Sequence, residues 1–233
     1  MLDFDEFEAL TFDCYGTLID WERAILAELR RLFGEDSIGG RSADELLELF
    51  GRLEADAESG PYRTYRKVLS DVALGFGREL GLDVSREKAS AFAASVAVWP
   101  PFDDSVDALR VLGSRYRLAI VSNVDDDLFH GSAELLRADF AVVVTAQQVR
   151  SYKPAHDHFR AVTTRLGLSR RRILHVAQSL YHDIAPAREL GIACVRVNRR
   201  EGRTGGGATR PTDAVPDLEV PDLVSLVGEM GLG

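Results

Sequence analysis

The sequence predicts an α/β protein built on a parallel sheet covered on both faces. Three observations carry that prediction. Short apolar runs recur along the chain, helix-like segments lie between them, and the runs lack the in–out alternation of a half-exposed strand.

The first strand is read over residues 9–13, ALTFD. From Trp21 to Val98 the pattern is helical, with apolar residues at three- and four-residue spacing in ERAILAELRRLF and SADELLELFGRLEA. Ser42, followed three residues later by Glu45, predicts a capping box at one helix start. Trp99-Pro100-Pro101 ends this region. SVDALRVLGSRY then reads as a helix and RLAIVSN as a buried strand. Further strands are expected at residues 141–146 (AVVVTA), 172–177 (RILHVA) and 193–198 (ACVRVN).

Composition narrows the function classes. A chain of 233 residues that is 45% hydrophobic and 28% charged has room for one sizeable core and an insertion. A net charge of -9 argues against a nucleic-acid or anionic-membrane surface, which needs clustered Lys and Arg. No apolar run approaches the roughly 20 residues that span a bilayer. The acidic N-terminus is unlike a signal peptide, so a cytoplasmic location is expected. Cys14 and Cys194 suggest neither a disulfide framework nor a zinc site, and Cys14 is read as packing. His156 and His158 lack the companions of a zinc signature. His175, inside an apolar strand, reads as a core residue. The Asp125-Asp126-Asp127 cluster reads as a solvated helix start. GRTGGGATR, around Gly205, lacks the ending of a phosphate-binding loop and is read as a flexible loop able to fold over a crevice.

Parallel sheets bind ligands beyond the carboxyl ends of their strands, so the strand-end residues matter most. The first strand ends in Asp13, and Gly16 permits a tight turn after it. The second ends in Ser122-Asn123, the third is followed by Lys153, and the fourth runs through Gln178 and Ser179 to Asp183. Each alone is most simply a turn or a cap. Together they supply a nucleophilic carboxylate, donors for developing charge, a neutralising cation and an acid able to hold water, which is a covalent-hydrolysis set.

These residues resemble the haloacid dehalogenase superfamily: FDCYGTL its first motif, VSN its second, SYKP its third, and the stretch ending at Asp183 its fourth. The resemblance implies a Rossmann-like core over residues 1–16 and 101–233, with a helical cap over 17–100. Phosphatases of the superfamily carry Asp two residues after the nucleophile. Tyr15 stands there in this chain, as in the L-2-haloacid dehalogenase branch, which needs no metal or other cofactor. The resemblance makes Asp13 the nucleophile at carbon 2 of a small carboxylate substrate. Ser122, Asn123, Thr17 and Tyr15 would bind substrate or orient Asp13, Lys153 would neutralise charge, and Asp183 would position water. Ser179 and His182 would line the substrate. Arg52 matches the cap arginine that contacts substrate, with Tyr62, Arg63 and Arg66 as competitors. A homodimer is a further expectation. Two positions depart from the branch: Leu180 replaces an Asn that helps place water, and Phe159 replaces a Tyr. His182 or Gln178 would then take over the polar role.

The phrases LTFDCYGTLIDWE, ELLELFGRLEA, SYKP and SLYHD are also similar to the azetidine-2-carboxylate hydrolases, which open a strained ring next to a carboxylate. A magnesium-dependent phosphatase and a non-catalytic binding protein of the same fold remain further alternatives.

Overall fold

The computed structural model describes residues 2–38, 40–202 and 212–233. Most of the Gly-rich loop around Gly205 lies outside the described residues.

Six strands form one parallel sheet: β1 (Ala9–Phe12), β2 (Arg117–Ser122), β3 (Val142–Thr145), β4 (Ile173–Ala177), β5 (Ala193–Val197) and β6 (Leu218–Val220). Their order is β3-β2-β1-β4-β5-β6, all parallel. This is the Rossmann-like α/β arrangement that the sequence predicts. The order reverses direction between β1 and β4, which opens a crevice beyond their carboxyl ends. Five strands were expected; β6 was not. It is a three-residue edge strand with Glu219 at its centre, too short and too polar to read as a buried run.

Alternate residues of each strand enter different cores. Leu10, Phe12, Leu118, Ile120, Leu174 and Val176 pack on one face. Ala9, Ala119, Val121, Ile173 and Ala177 pack on the other. Burial on both faces is why the strands read as continuous apolar runs.

Between β1 and β2 lie α1 (Trp21–Phe33), α2 (Glu35–Ile38), α3 (Ala43–Glu58), α4 (Tyr65–Leu80), α5 (Arg86–Ala94) and a 3-10 turn at Ser95–Val98. The capping box is present: the Glu45 amide donates to Ser42 Oγ, and the Ser42 amide to Glu45. Apolar faces of these helices, including Ile25, Leu29, Phe50, Leu69 and Phe76, join the first core. The remaining helices are α6 (Ser105–Gly113), α7 (Asp126–Leu136), α8 (Ala146–Val149), α9 (Asp157–Leu166), α10 (Ala185–Glu189) and α11 (Leu223–Glu229).

The chain's two passages between the sheet and the inserted helices run side by side. The Asp20 amide donates to Pro100 O, the Phe102 amide to Leu18 O, and Ser105 Oγ to Leu18 O. Arg199, just past β5, donates to Thr17 O and pairs with Asp104, tying both passages to the sheet.

The aspartate cluster is not simply solvated. Asp125 is buried, and its two carboxylate oxygens accept from the Tyr65 and Arg66 amides, both at 2.9 Å. It therefore caps the start of α4, whose own N-cap residue, Thr64, makes no side-chain bond there. Asp127 pairs with Arg66, and Asp126 accepts from Thr145.

Gly131 lets α7 lie directly against the Ser95–Val98 turn. A Cβ there would meet the Ala97 carbonyl oxygen at 2.3 Å. Gly131→Ala is expected to cost about 1–3 kcal/mol by overpacking, read as a lowered denaturation midpoint. An unchanged midpoint would contradict this packing.

Candidate active site

Asp13 follows β1 directly, and Gly16 turns the chain with φ +93°. A Cβ on Gly16 would meet the Trp21 indole nitrogen at 2.8 Å, so both φ and space require glycine. The turn leaves the Asp13 carboxylate at the floor of a crevice of about 480 Å³, mouth included.

Lys153 organises the floor. Its ammonium donates to Asp13 Oδ1 (2.8 Å), Asp183 Oδ1 (2.7 Å) and Val121 O (2.9 Å). All three donors of the buried ammonium are thus used. Burial pushes the Asp13 carboxyl up, Lys153 pulls it down and Asp183 pushes it up again, leaving it above the ordinary range. Burial also acts on Asp183, but Lys153 and His175 outweigh it and hold that carboxyl down at about 2. Burial disfavours the Lys153 charge, yet the two carboxylates raise its pKa overall. The proton affinities of the two carboxyls are therefore pushed apart, Asp13 holding a proton more readily than Asp183.

His175 is more than core filling. Its Nε2 lies 3.1 Å from Asp183 Oδ1, and its Nδ1 lies 2.9 Å from Thr11 Oγ1. An Nε2–H donating to Asp183 leaves Nδ1 to accept from Thr11, which satisfies every group in this buried chain. Phe159 packs edge-on against His175 at 5.1 Å. The position without the expected hydroxyl thus buttresses that ring from the second core.

The structure brings most of the predicted site residues together. Asp13, Tyr15, Ser122, Asn123, Lys153, Gln178, Ser179, His182 and Asp183 line the crevice. Ser122 Oγ is fully buried there without a hydrogen-bond partner among the described residues. Asn123 accepts from the Lys153 amide (2.7 Å) and donates to the Lys153 carbonyl (3.2 Å), so it clamps the lysine loop. Ser179 Oγ accepts from the His182 amide and starts the turn that carries Asp183. The Tyr15 hydroxyl is bonded to Ser132 (2.8 Å), and burial raises its pKa well above the ordinary value. Leu180 packs into the second core, while Gln178 lines the crevice.

Two predicted substrate contacts need correction. Thr17 does not line the crevice and is not placed to bind substrate: its hydroxyl donates to Asp13 Oδ2 at 2.7 Å and accepts from the Gln178 amide, which is the other role expected of it, orienting Asp13. Arg52 is also absent from the crevice; half exposed on α3, it pairs with Glu79 at 3.3 Å. Its competitors fare no better. Arg63 pairs with Asp71, Arg66 with Asp127, and the Tyr62 ring packs at a tilt against Tyr152. The inserted helices instead contribute Trp21, Glu54, Glu58 and Tyr65. Sequence reasoning missed these, because Glu54 and Glu58, four residues apart, look like a solvated helix face.

Beneath the site, His158 is fully buried facing the Ser122 backbone, with no well-formed hydrogen bond to either ring nitrogen among the described residues. Burial and the Lys153 charge hold its pKa down at about 3, against an ordinary 6.5. Below pH 6.5 the unfolded chain takes up a proton here that the folded chain refuses until about pH 3. Folding is therefore destabilised progressively as pH falls through that window, and not above it. His158→Leu is expected to flatten this acid limb in denaturation curves. Parallel pH profiles for variant and parent would contradict it.

Among the described residues no group of three or more His, Cys, Asp or Glu side chains is arranged to hold a metal ion. Among them, too, no helix is long and apolar enough to cross a membrane.

A parallel α/β sheet that gathers two carboxyls and an ammonium at its reversal point has the makings of a hydrolytic site. A model of the haloacid dehalogenase-like hydrolases matches residues 7–191, and the chain belongs to that family. It is 26% identical to haloacetate dehalogenase H-2 of Moraxella sp. (strain B), over 94% of this chain and 96% of that one. It is also 26% identical to (S)-2-haloacid dehalogenase 4A of Burkholderia cepacia, over 84% and 85% of the two chains. An L-2-haloacid dehalogenase from Xanthobacter autotrophicus, solved with chloropropionic acid covalently bound, superposes with a TM-score of 0.77. It shares 22% identity over 94% of this chain and 96% of its own. A dehalogenase solved with an intermediate superposes at 0.81, with 20% identity over 98% of both chains.

Proposed function

We propose that this enzyme hydrolyses 2-substituted carboxylic acids through an ester on Asp13, in the manner of a metal-independent 2-haloacid dehalogenase. The observation that carries the reading is the Asp13–Lys153–Asp183 bridge, with Tyr15 at the position where a phosphatase needs an acid. The names of the relatives support the same reaction class.

In the first step an Asp13 oxygen forms a bond to carbon 2 as the bond to the leaving group breaks, and that carbon inverts. A halide departs without needing a proton, which agrees with a Tyr15 hydroxyl committed to Ser132. Ser122 and Asn123 face the substrate carboxylate. In the second step water attacks the Asp13 carbonyl carbon, releasing the 2-hydroxy acid. Asp183, oriented by His175 and Lys153, holds that water together with Gln178, which takes the place of the Asn missing at Leu180. The helices within residues 17–100 act as a cap that closes the crevice.

Chloride release from each enantiomer of 2-chloropropionate, with chelator present, tests the reading. Release from one enantiomer only, lost in Asp13→Asn, is expected. No release from folded enzyme would overturn the halide assignment. One observation favours a second reading, ring opening of azetidine-2-carboxylate: Glu54 and Glu58 suit a departing amine better than a departing halide. Appearance of a primary amine from that substrate would decide for it.

A further inference from the structure

The floor and the helix side of the crevice have different electrostatic characters. Among the described residues, four carboxyl side chains line it (Asp13, Glu54, Glu58 and Asp183), against one side chain with a fixed positive charge, Lys153. That ammonium has no donor to spare, since Asp13, Asp183 and Val121 O take all three. The arginines of the inserted helices that sequence reasoning placed at the substrate are paired elsewhere. A substrate that is only an anion would therefore meet net negative charge on entry, at considerable cost in a desolvated site.

The helix side also has a defined architecture. Glu54 and Glu58 lie one helical turn apart on α3 and share one face. Tyr65 of α4 donates its hydroxyl to Glu54 Oε1 at 2.6 Å, and Trp21 of α1 stands beside them in the same wall. Carboxylates backed by aromatic faces are the chemistry that receives an alkylammonium. Burial pushes Glu54 up to about 7, against the pull of the Tyr65 hydrogen bond, so an arriving cation would draw off its proton. A second, independent feature marks the other end of a ligand: Ser122 Oγ, fully buried and unpartnered among the described residues, lines the same crevice beside Asp13. The crevice thus offers a hydroxyl at its floor and carboxyls on its helix side.

We propose that Glu54 and Glu58 form an ammonium-binding wall, and that the substrate is a small 2-substituted carboxylate carrying a protonated nitrogen. This substrate class rests on the Asp13 reaction proposed above. Such a zwitterion brings its own countercharge: its carboxylate meets Ser122 and its nitrogen meets α3. Displacement at carbon 2 by Asp13 is unchanged. The nitrogen is either a neighbouring substituent or, in a strained cyclic amine, the leaving group itself. In the cyclic case the carbon 2–nitrogen bond breaks with its electron pair going to nitrogen, and the amine leaves neutral with both its protons.

Two ligands of nearly equal shape, 3-aminopropanoate and butanoate, isolate the charge, because neither carries a leaving group. Calorimetry on the whole protein is expected to show the ammonium ligand binding more tightly by a factor on the order of 10 to 100, as for a hydrogen bond to a charged group. The preference should collapse in Glu54→Gln/Glu58→Gln, with circular dichroism checking the fold; Glu54→Gln and Glu58→Gln singly serve if the pair fails to fold. Equal affinities in the parent protein, or a preference that survives substitution, would overturn the proposal. Chloride release from 3-amino-2-chloropropanoate and 2-chlorobutanoate is read separately. If ammonium selectivity is present in binding but chloride comes from neither, the halide reading has failed while the wall stands. If chloride comes from both at equal kcat/KM and binding shows no preference, the wall has failed while displacement stands.

Discussion

Asp13→Asn is expected to lower turnover by about four orders of magnitude or more, with the fold intact. The substitution keeps the shape and removes only the charge that attacks. Its effect on stability follows from the direction of the Asp13 shift. The folded-state pKa is raised above the unfolded value, so this group favours folding below the unfolded pKa, and that contribution is lost as pH rises through the folded pKa. At neutral pH the ionised Asp13 is therefore a cost that Asn removes. Lys153 still has Asp183 and Val121 O to bond. The variant should be at least as stable as the parent at pH 7, and a dead enzyme with an undiminished unfolding midpoint is the expected pair of results. Full turnover would remove Asp13 from the chemistry.

Lys153→Met should cost both stability and rate. The methionine fills the volume but leaves Asp13 and Asp183 facing each other without their shared cation. Removing one partner of a buried ion pair costs about 3–5 kcal/mol. The two carboxyls cannot both stay ionised at close quarters, and Asp13, already raised, is the one that gains the proton. The rate should fall by a factor on the order of 10²–10³ at pH 7. It should partly recover as pH rises, because alkali restores the Asp13 carboxylate. Asp183 sets a separate acid limit: its folded-state pKa of about 2 lies below the ordinary 3.8, so its contribution is complete above pH 3.8 and lost on descent towards pH 2. A Lys153→Met variant with parental stability and a parental pH profile would contradict the bridge.

The strand ends were legible because two rules act on them together. A sheet buried on both faces forces continuous apolar runs, and each run then marks the polar residue where it stops. Asp13, Ser122, Lys153 and Asp183 all follow from that logic, and the structure places them around one crevice. The runs were read too long where a polar residue such as Asn198 falls just past the last residue of its strand. His175 shows a limit of reading one strand at a time: its apolar neighbours mark it as core, while its partner Asp183 comes from the turn after the same strand. The helix side was illegible for another reason. Helical periodicity tells which face is apolar, but not which polar face is folded over a cleft. Glu54 and Glu58 look like surface residues until tertiary packing brings α3 over Asp13. Arg52, on the same helix, fell to the opposite error.

The central claim is that Asp13 carries the substrate as an ester. Single-turnover reaction in heavy-oxygen water, followed by mass spectrometry of the peptide bearing Asp13, tests it most directly. Label in Asp13, with unlabelled oxygen in the first product formed, is the predicted result, because water attacks the ester carbonyl and the original Asp13 oxygen leaves with the product. Label wholly in the product and none in Asp13 would mean that water attacks the substrate itself, and the covalent account would be wrong.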